Sequence, residues 1–346
     1  MKVLVTGGAG YVGSVCVEEL VAAGHEVVVI DDFRFGHRGA VHPAAQLVEA
    51  DFGDTAAVRR VFQKTHIDAV MHFAGETLVT KSMTDPQTYF KANVVSGIDF
   101  LGAVRENGVK AFIFSSTAAV YGEPIATPIT ENHSTKPINA YGESKLMFER
   151  VLEWYRRAYS LNYVALRYFN AAGASSAYGE AHSPESHLLP LLLDSVIRPT
   201  QKFVIHGQDY DTPDGTCVRD YVHVVDIAQA HLLAMDAVML GSHHGAYNIG
   251  SSHGHSVLQV MRTVEEVTGR ELPFRIGPRR QGDPAVLVAS HQKLATELGW
   301  RPRFSDLQNI VRSAWIWKQR HPTAYDSGDP GVNHESIDDL HSSGVK

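Results

Sequence analysis

Two side chains suited to acid–base chemistry lie four residues apart near the middle of the sequence. Tyr141 and Lys145 have the spacing that places both on one face of a helix. An ammonium group beside a phenol favours the phenolate, so we expect the pKa of Tyr141 to lie below its usual value of about 10. The strand-like segment 111–114 runs into Ser115-Ser116-Thr117. If Tyr141 takes a proton from an alcohol substrate, the Thr117 hydroxyl can hydrogen-bond to that alcohol. A tyrosine tuned in this way can act as a general base. The same spacing also arises by chance on helix surfaces, so its meaning depends on the rest of the chain.

A glycine-rich turn near the start of the chain supplies that context. Residues 2–5 predict a short buried strand, and Gly7, Gly10 and Gly13 follow it at G-x-x-G-x-x-G spacing. Helical periodicity then continues to residue 21, and residues 27–30 predict the next buried strand. A turn without β-carbons lets the backbone approach a pyrophosphate, and the helix N-terminus supplies free N–H groups. This order of strand, glycine turn, helix and strand predicts a dinucleotide site rather than a purely structural turn.

The acid that ends the second strand indicates which dinucleotide is bound. Asp31 can accept hydrogen bonds from an adenosine ribose, and its charge would repel a 2′-phosphate. The sequence therefore favours NAD over NADP, and Arg34 is near enough to soften that repulsion. With a nicotinamide bound near Tyr141 and Lys145, the expected chemistry is hydride transfer between a carbinol carbon and NAD.

Strands and helices alternate through the first half of the chain. Further strands are predicted at residues 46–50, 69–72, 111–114 and 163–166, with helices over 55–64, 88–106 and from 141 onward. This alternation predicts an α/β fold built on a doubly wound parallel sheet, in which ligands bind at the carboxyl ends of the strands. Residues that meet at that rim are 7–13, Asp31, 73–75, 115–117 and 168–170.

The alternation breaks after residue 171, where Gly, Ser, Pro and His crowd residues 173–187. Later helices are predicted over 188–196, 225–239, 257–268, 292–298 and 307–319, with a strand at 246–249. We expect an NAD-binding domain over residues 1–171 and about 222–250. A smaller α/β substrate domain is expected over about 172–221 and 251–322. Residues 323–346 lack apolar periodicity and predict a mobile tail.

Composition narrows the possible functions. A net charge of −7 without blocks of Lys or Arg argues against a nucleic-acid partner. Cys16 and Cys217 form no disulfide framework, which fits a reducing compartment. With no room for a signal peptide before the first strand and no apolar run of bilayer length, we expect a cytoplasmic protein without a membrane partner. The 19 histidines are scattered, and pairs such as His243–His244 and His253–His255 lie in loop sequence, so we predict no metal site.

From residue 1 to about 322 the sequence resembles the extended short-chain dehydrogenase/reductase family, and within it the sugar-nucleotide 4-epimerases. The resemblance rests on the segments VLVTGGAGYVGS, HFAG, FIFSSTAAVYG, PINAYGESKLMFE, LRYFNAAGA, GQDYDTPDGTCVRDYVHVVDIAQAH, YNIGS, RRQGDPA and ELGW. It implies an NAD-dependent enzyme that interconverts UDP-glucose and UDP-galactose. The C4 carbon would be oxidised to a 4-keto sugar and reduced again on its opposite face. It also implies a homodimer in which the helices near 88–106 and 141–159 pair.

The resemblance assigns roles by position. Tyr141 matches the catalytic base, Lys145 its helper and Thr117 the serine/threonine position. Cofactor contacts would come from Gly7, Gly10, Tyr11, Val12, Asp31, Asp51, Phe52, Phe73, Ala74, Gly75, Asn93, Ser115, Tyr141, Lys145 and Tyr168. Contacts to the UDP-sugar would come from Thr117, Tyr141, Asn170, His187, Leu188, Arg219, Arg280 and Asp283. Two arginines suit a diphosphate because a guanidinium can bind its oxygens bidentately.

Three positions depart from the family pattern or leave it open. Thr77 stands where a lysine often contacts the cofactor, and His187 replaces a frequent asparagine. Leu287, of intermediate size, lies near the position that sets the width of the sugar pocket. A 4-epimerase acting on another UDP-sugar therefore remains an alternative, as does a non-catalytic NAD-sensing protein of the same fold. Ala118-Ala119 argues against a 4,6-dehydratase, because that reaction needs an Asp-Glu pair there.

Overall fold

A large parallel sheet forms the centre of the structure, a computed structural model that describes residues 1–198, 202–241, 244–280 and 283–325. The described strands are β1 (Lys2–Thr6), β2 (Glu26–Asp31), β3 (Gln46–Glu49), β4 (Ala69–His72), β5 (Ala111–Thr117), β6 (Asn162–Tyr168), β7 (Asn170–Ala172), β8 (Phe203–His206), β9 (Val218–His223), β10 (Gly245–Ile249), β11 (Gly254–Ser256), β12 (Phe274–Gly277) and β13 (Val286–Leu287). Seven of these described strands form the sheet in the order β10-β6-β5-β4-β1-β2-β3, and every neighbouring pair is parallel. The doubly wound parallel sheet predicted from the sequence is confirmed.

Helices cover both faces of this sheet. The described helices are α1 (Tyr11–Ala22), α2 (Thr55–Lys64), α3 (Val79–Thr84), α4 (Pro86–Phe90), α5 (Ser96–Glu106), α6 (Ala140–Tyr159), α7 (Leu188–Ile197), α8 (Val224–Met239), α9 (Val257–Thr268), α10 (Gln292–Leu298) and α11 (Leu307–Arg320). Successive strand residues point to opposite faces. Val3 and Val5 therefore pack toward α1 and α8, whereas Leu4 packs toward Phe100 of α5 and Phe148 of α6. Two buried apolar layers hold the strand ends, and hence the rim, in place.

One helix differs from its prediction. The helix expected over 88–106 begins at Pro86 and contains a π-helical turn, Lys91–Val95, between α4 and α5. Asn93 lies in that turn, and its amide bonds to the backbone of Glu76 and to Ser144 Oγ. Such turns often mark functional regions. The side chain of Asn93 makes these tertiary hydrogen bonds from within the π turn. Apolar periodicity in the sequence does not reveal such a turn.

Smaller sheets lie beyond the carboxyl rim. In the described chain β9 pairs with β7, β11 and β13, and β8 pairs with β12. Helices α7, α9 and α11 pack together through Leu192, Val260 and Val311. β10 then lies beside β6 at the edge of the large sheet.

The end of the described chain packs onto this part of the molecule. Tyr325, in the segment expected to be mobile, donates from its hydroxyl to Gly179 O at 3.1 Å and accepts from Gly179 N at 2.8 Å. Residues 326–346 lie outside the described residues. No helix within the described ranges combines the length and apolar character needed to cross a bilayer.

Candidate active site

The glycine turn between β1 and α1 is closely packed. Gly7 has φ +71°, and a β-carbon there would lie 2.7 Å from the backbone nitrogen of Ala74. A β-carbon on Gly13 would lie 2.1 Å from the carbonyl oxygen of Gly7. Because neither position accepts a side chain, the turn stays bare backbone at the N-terminus of α1. It therefore leaves room for a pyrophosphate to approach the N-terminus of α1.

Asp31, at the end of β2, braces this turn. Its carboxylate accepts hydrogen bonds from the backbone N–H groups of Ala9 and Phe33, both at 2.9 Å. Burial raises its pKa, and these two hydrogen bonds oppose the rise. Each carboxylate oxygen retains a lone pair, so the group can still accept bonds from ribose hydroxyls.

Arg34 is poorly placed to offset the repulsion between Asp31 and a 2′-phosphate. Its guanidinium lies 3.1 Å from an Asp32 oxygen, 3.1 Å from Glu76 Oε1 and 3.8 Å from an Asp51 oxygen. An arginine shared among three carboxylates has little attraction left for a 2′-phosphate. The local charges therefore favour the unphosphorylated dinucleotide more clearly than the sequence indicated.

A first cleft of about 380 Å³ opens along the carboxyl rim beside this turn. Most residues with a predicted role line it. They are Gly7, Gly10, Tyr11, Val12, Asp31, Phe52, Phe73, Ala74, Gly75, Ser115, Thr117, Tyr141, Lys145, Tyr168, Asn170 and His187, and Thr77 lines it as well.

Two predicted cofactor residues do not line that surface. Among the described residues that line the first cleft, Asp51 and Asn93 do not appear. Asp51 accepts a bond from Gly53 N at 2.8 Å, and Asn93 holds the backbone of Glu76. In this structure both support the loops that line the cleft.

The residues with acid–base potential meet where α6 begins. Asn139 caps α6 by accepting a hydrogen bond from Gly142 N at 2.8 Å, which fixes the first turn that carries Tyr141. One turn later, Lys145 Nζ donates to Ser115 O at 3.1 Å. Thr117, at the end of β5, hydrogen-bonds to the Tyr141 phenol. The predicted trio is therefore brought together by the N-terminus of one helix and the end of one strand.

Burial shifts the pKa values of Tyr141 and Lys145. Burial raises the pKa of Tyr141, and the bond from Thr117 only partly opposes the rise. Burial also lowers the pKa of Lys145 to about 8. The expectation that Lys145 would lower the pKa of Tyr141 is wrong for the chain alone. The reason is that burial disfavours the phenolate, while the Lys145 ammonium group bonds to the Ser115 carbonyl.

A second cleft of about 200 Å³ continues from the first. Asn170 and His187 line both clefts. The remaining predicted UDP-sugar residues, Leu188, Arg219, Arg280 and Asp283, line the second cleft. The Arg219 guanidinium pairs with the Asp283 carboxylate. A cationic cleft thus adjoins the one that holds Tyr141.

Comparison with known proteins decides the family. A family model described as "NAD dependent epimerase/dehydratase family" matches residues 3–250. The chain belongs to this epimerase/dehydratase family. A UDP-glucose 4-epimerase of Streptococcus mutans is 48% identical over 333 residues, which are 95% of this chain and 100% of that protein.

Solved structures agree with the family assignment. A UDP-glucose 4-epimerase from Brucella ovis in complex with NAD is 40% identical, with a TM-score of 0.88 over 91% of this chain and 97% of that one. Another from Bifidobacterium longum, in complex with NAD⁺ and UDP, is 35% identical, with a TM-score of 0.87 over 94% and 100%.

The cofactor of this family fits the first cleft. NAD needs a bare backbone turn for its pyrophosphate and an acid for its ribose, and the packed Gly7–Gly13 turn and Asp31 provide both. This epimerase/dehydratase family member is NAD-dependent.

Sequence reasoning missed several side chains around the first cleft. Glu76 is buried and pairs with Arg34, and Glu180 and His182 line the cleft from the loop before α7. Glu76 directly follows Gly75 in the loop after β4, so its place near the rim was a usable signal. Glu180 and His182 lie in irregular sequence, where periodicity gives no indication of direction.

Leu287 pairs in strand register with Arg219, which lines the second cleft. It packs against the buried cluster of Val120, Tyr121, Ile129 and Leu146, and in the described part of the chain it lines neither cleft. Leu287 is therefore a neighbour of the second cleft rather than part of its lining.

Proposed function

We propose that this protein is an NAD-dependent UDP-glucose 4-epimerase that interconverts UDP-glucose and UDP-galactose. One observation carries the proposal: the cleft of Tyr141 and Lys145 joins an arginine-lined cleft at Asn170 and His187. A UDP group held by arginines would extend its sugar toward Tyr141. The names of the relatives support the same activity.

The chain's residues would divide the reaction between anchoring and proton transfer. Arg219 and Arg280 would bind the diphosphate, so the sugar can present either face while UDP stays fixed. Tyr141 would take the C4 hydroxyl proton during oxidation to the 4-keto sugar and return it during reduction. Thr117 would bond to the same hydroxyl and share its proton. When bound, NAD supplies the hydride acceptor and donor.

A phenylalanine substitution tests the proposal. Tyr141→Phe should lower kcat by about 100-fold or more, because general acid–base catalysis contributes at least that much. The variant should fold and retain NAD, because it loses one hydrogen bond worth only about 1 kcal/mol. The assay follows UDP-glucose and UDP-galactose in both directions, with UDP-N-acetylglucosamine, UDP-xylose and UDP-glucuronate in parallel.

Tyr159→Phe is the matched control, since Tyr159 lies on the same helix with 51% of its surface exposed. It should keep wild-type activity. Full activity in Tyr141→Phe, or no epimerisation of the two hexose substrates by the wild type, would contradict the proposal.

We also propose that two copies of the chain pair through α5 and α6. Large apolar side chains stand exposed along these helices, including Ile98 at 38%, Met147 at 37% and Trp154 at 66%. Exposed apolar groups on adjacent helices are typical of interfaces.

Trp154→Glu should shift light scattering from dimer to monomer. Ile125→Glu, at a loop position that is 90% exposed, should leave the dimer intact. A monomeric wild type at micromolar concentration would refute the pairing.

The proposal also includes a division of the chain into two domains and a location in the cell. Residues 1–171 with 222–250 would bind NAD, and residues 172–221 with 251–322 would hold the UDP-sugar. The cytoplasm would suit the two cysteines, because both Cys16 and Cys217 are free thiols.

A further inference from the structure

Four side chains converge in the loop that leads into α7. The Glu180–His187 cluster consists of Glu180, His182, Glu185 and His187. Ligand atoms of Glu180, His182 and His187 all lie within 4.8 Å of one another. His182 Nδ1 contacts Glu180 Oε1. His187 Nδ1 lies 2.8 Å from Glu185 Oε1 and 4.0 Å from Glu180 Oε2.

We propose that this cluster binds a divalent transition-metal ion of the zinc type. Zn²⁺ favours imidazole nitrogen and carboxylate oxygen at about 2.0–2.2 Å, which places tetrahedral ligands roughly 3.4 Å apart. Glu180, His182 and His187 supply one carboxylate and two imidazoles as ligands of this kind, and a water molecule can take the fourth position. The ligand atoms of these three residues already lie within 4.8 Å of one another, so rotation of their side chains would bring them to the tetrahedral separation. The sequence predicted no metal site, because the four residues belong to an irregular loop.

Hydrogen bonds hold several of these groups in place before any ion binds. Glu185 Oε1 accepts from the backbone N–H groups of Ser186 and His187, both at 2.7 Å. The carbonyl of Ala181 lies 2.9 Å from His37 Nε2, which ties the loop to the segment after β2. Groups oriented in this way lose less entropy when an ion binds.

The partial exposure of the two histidines gives an ion access to the Glu180–His187 cluster. Glu180 and Glu185 are 10% and 13% exposed, so their carboxylates are largely shielded from water. His182 is 24% exposed and His187 is 47% exposed. An ion can therefore arrive past His187 and meet shielded carboxylates, where its charge is strongly attracted.

Metal binding can be measured apart from epimerisation, although His187 is also a predicted UDP-sugar contact. His187 lines both clefts, so an ion held there would tie the loop to the N-terminus of α7 beside the substrate path. The test therefore measures the ion itself. The full chain is stripped with a chelator and then titrated at pH 8, because protons compete with metal ions for imidazole, with Zn²⁺ by calorimetry and with Co²⁺ by visible absorption.

The expected result is one ion per chain, with the intense visible bands of tetrahedral Co²⁺. His182→Ala and Glu180→Gln should each weaken binding at least tenfold, whereas His66→Ala should not. His66 is a suitable control because its side chain is 77% exposed and lies 3.4 Å from Asp68. If circular dichroism shows that His182→Ala is unfolded, His182→Asn replaces it. No saturable binding by the wild type, or unchanged binding by the folded variants, would overturn the proposal.

Discussion

A buried ion pair behind the active-site strand offers a quantitative test of the structure. Glu149 of α6 accepts bonds from Arg167 Nε at 2.9 Å and Arg167 Nη2 at 2.5 Å. Ser116 Oγ also donates to Glu149 at 2.5 Å. Arg167 in turn donates to the Tyr121 hydroxyl at 2.9 Å. These bonds join α6, which carries Tyr141, to the ends of β5 and β6.

Removing the charge of the Glu149 carboxylate should lower the free energy of unfolding. The side chains of Arg167 and Glu149 are only 7% and 8% exposed, so water cannot replace the lost partner. Glu149→Gln keeps the shape but leaves a buried guanidinium without its counter-charge, and it turns an N–H₂ group toward existing donors. Breaking a buried pair in this way costs about 3–5 kcal/mol. Glu149→Leu combined with Arg167→Met should cost less than Glu149→Gln alone, because no buried charge remains.

The matched control lies one turn along the same helix. Glu153 also contacts two arginines, Arg156 at 2.9 Å and Arg157 at 2.6 Å, and its side chain is 27% exposed. Glu153→Gln should therefore cost only about 0.2–1 kcal/mol. Urea denaturation followed by tryptophan fluorescence measures both variants. If the two substitutions lower the unfolding midpoint equally, the claim that burial governs the strength of the 149–167 pair is refuted.

Two further predictions concern pH and the glycine turn. Burial, and then the charge of Lys145, lower the pKa of His72 from 6.5 to about 3. The unfolded chain therefore binds a proton more readily than the folded one, and the free energy of unfolding should fall by about 2 kcal/mol between pH 7 and pH 5 from this group. Denaturation at both pH values should show a smaller fall for His72→Asn; an equal fall would contradict the assignment. Gly13→Ala should abolish NAD binding in calorimetry, because its β-carbon would lie 2.1 Å from the Gly7 oxygen. Gly10→Ala should be milder, since its β-carbon would lie 3.3 Å from that oxygen; equal losses would show that the close approach is not the cause.

Sequence alone was sufficient for features that depend on neighbouring residues. The spacing of Gly7, Gly10 and Gly13 after an apolar segment is a local property of the chain, and it correctly predicted the strand, turn and helix. The i, i+4 spacing of Tyr141 and Lys145 likewise follows from helix geometry. Because parallel strands end at one rim, the location of the first cleft also followed from the order of elements.

Tertiary structure decided what depends on residues far apart in the chain. The pKa of Tyr141 rises because other elements exclude water from it, and no sequence spacing encodes that exclusion. The partners of Glu149 and Glu76 come from other strands and loops, as do those of Asn93 in its π turn. Local patterns fix the conformation of a segment, because backbone geometry repeats every few residues. Burial and charge are set by the other segments that pack against it, and only the folded chain brings these together.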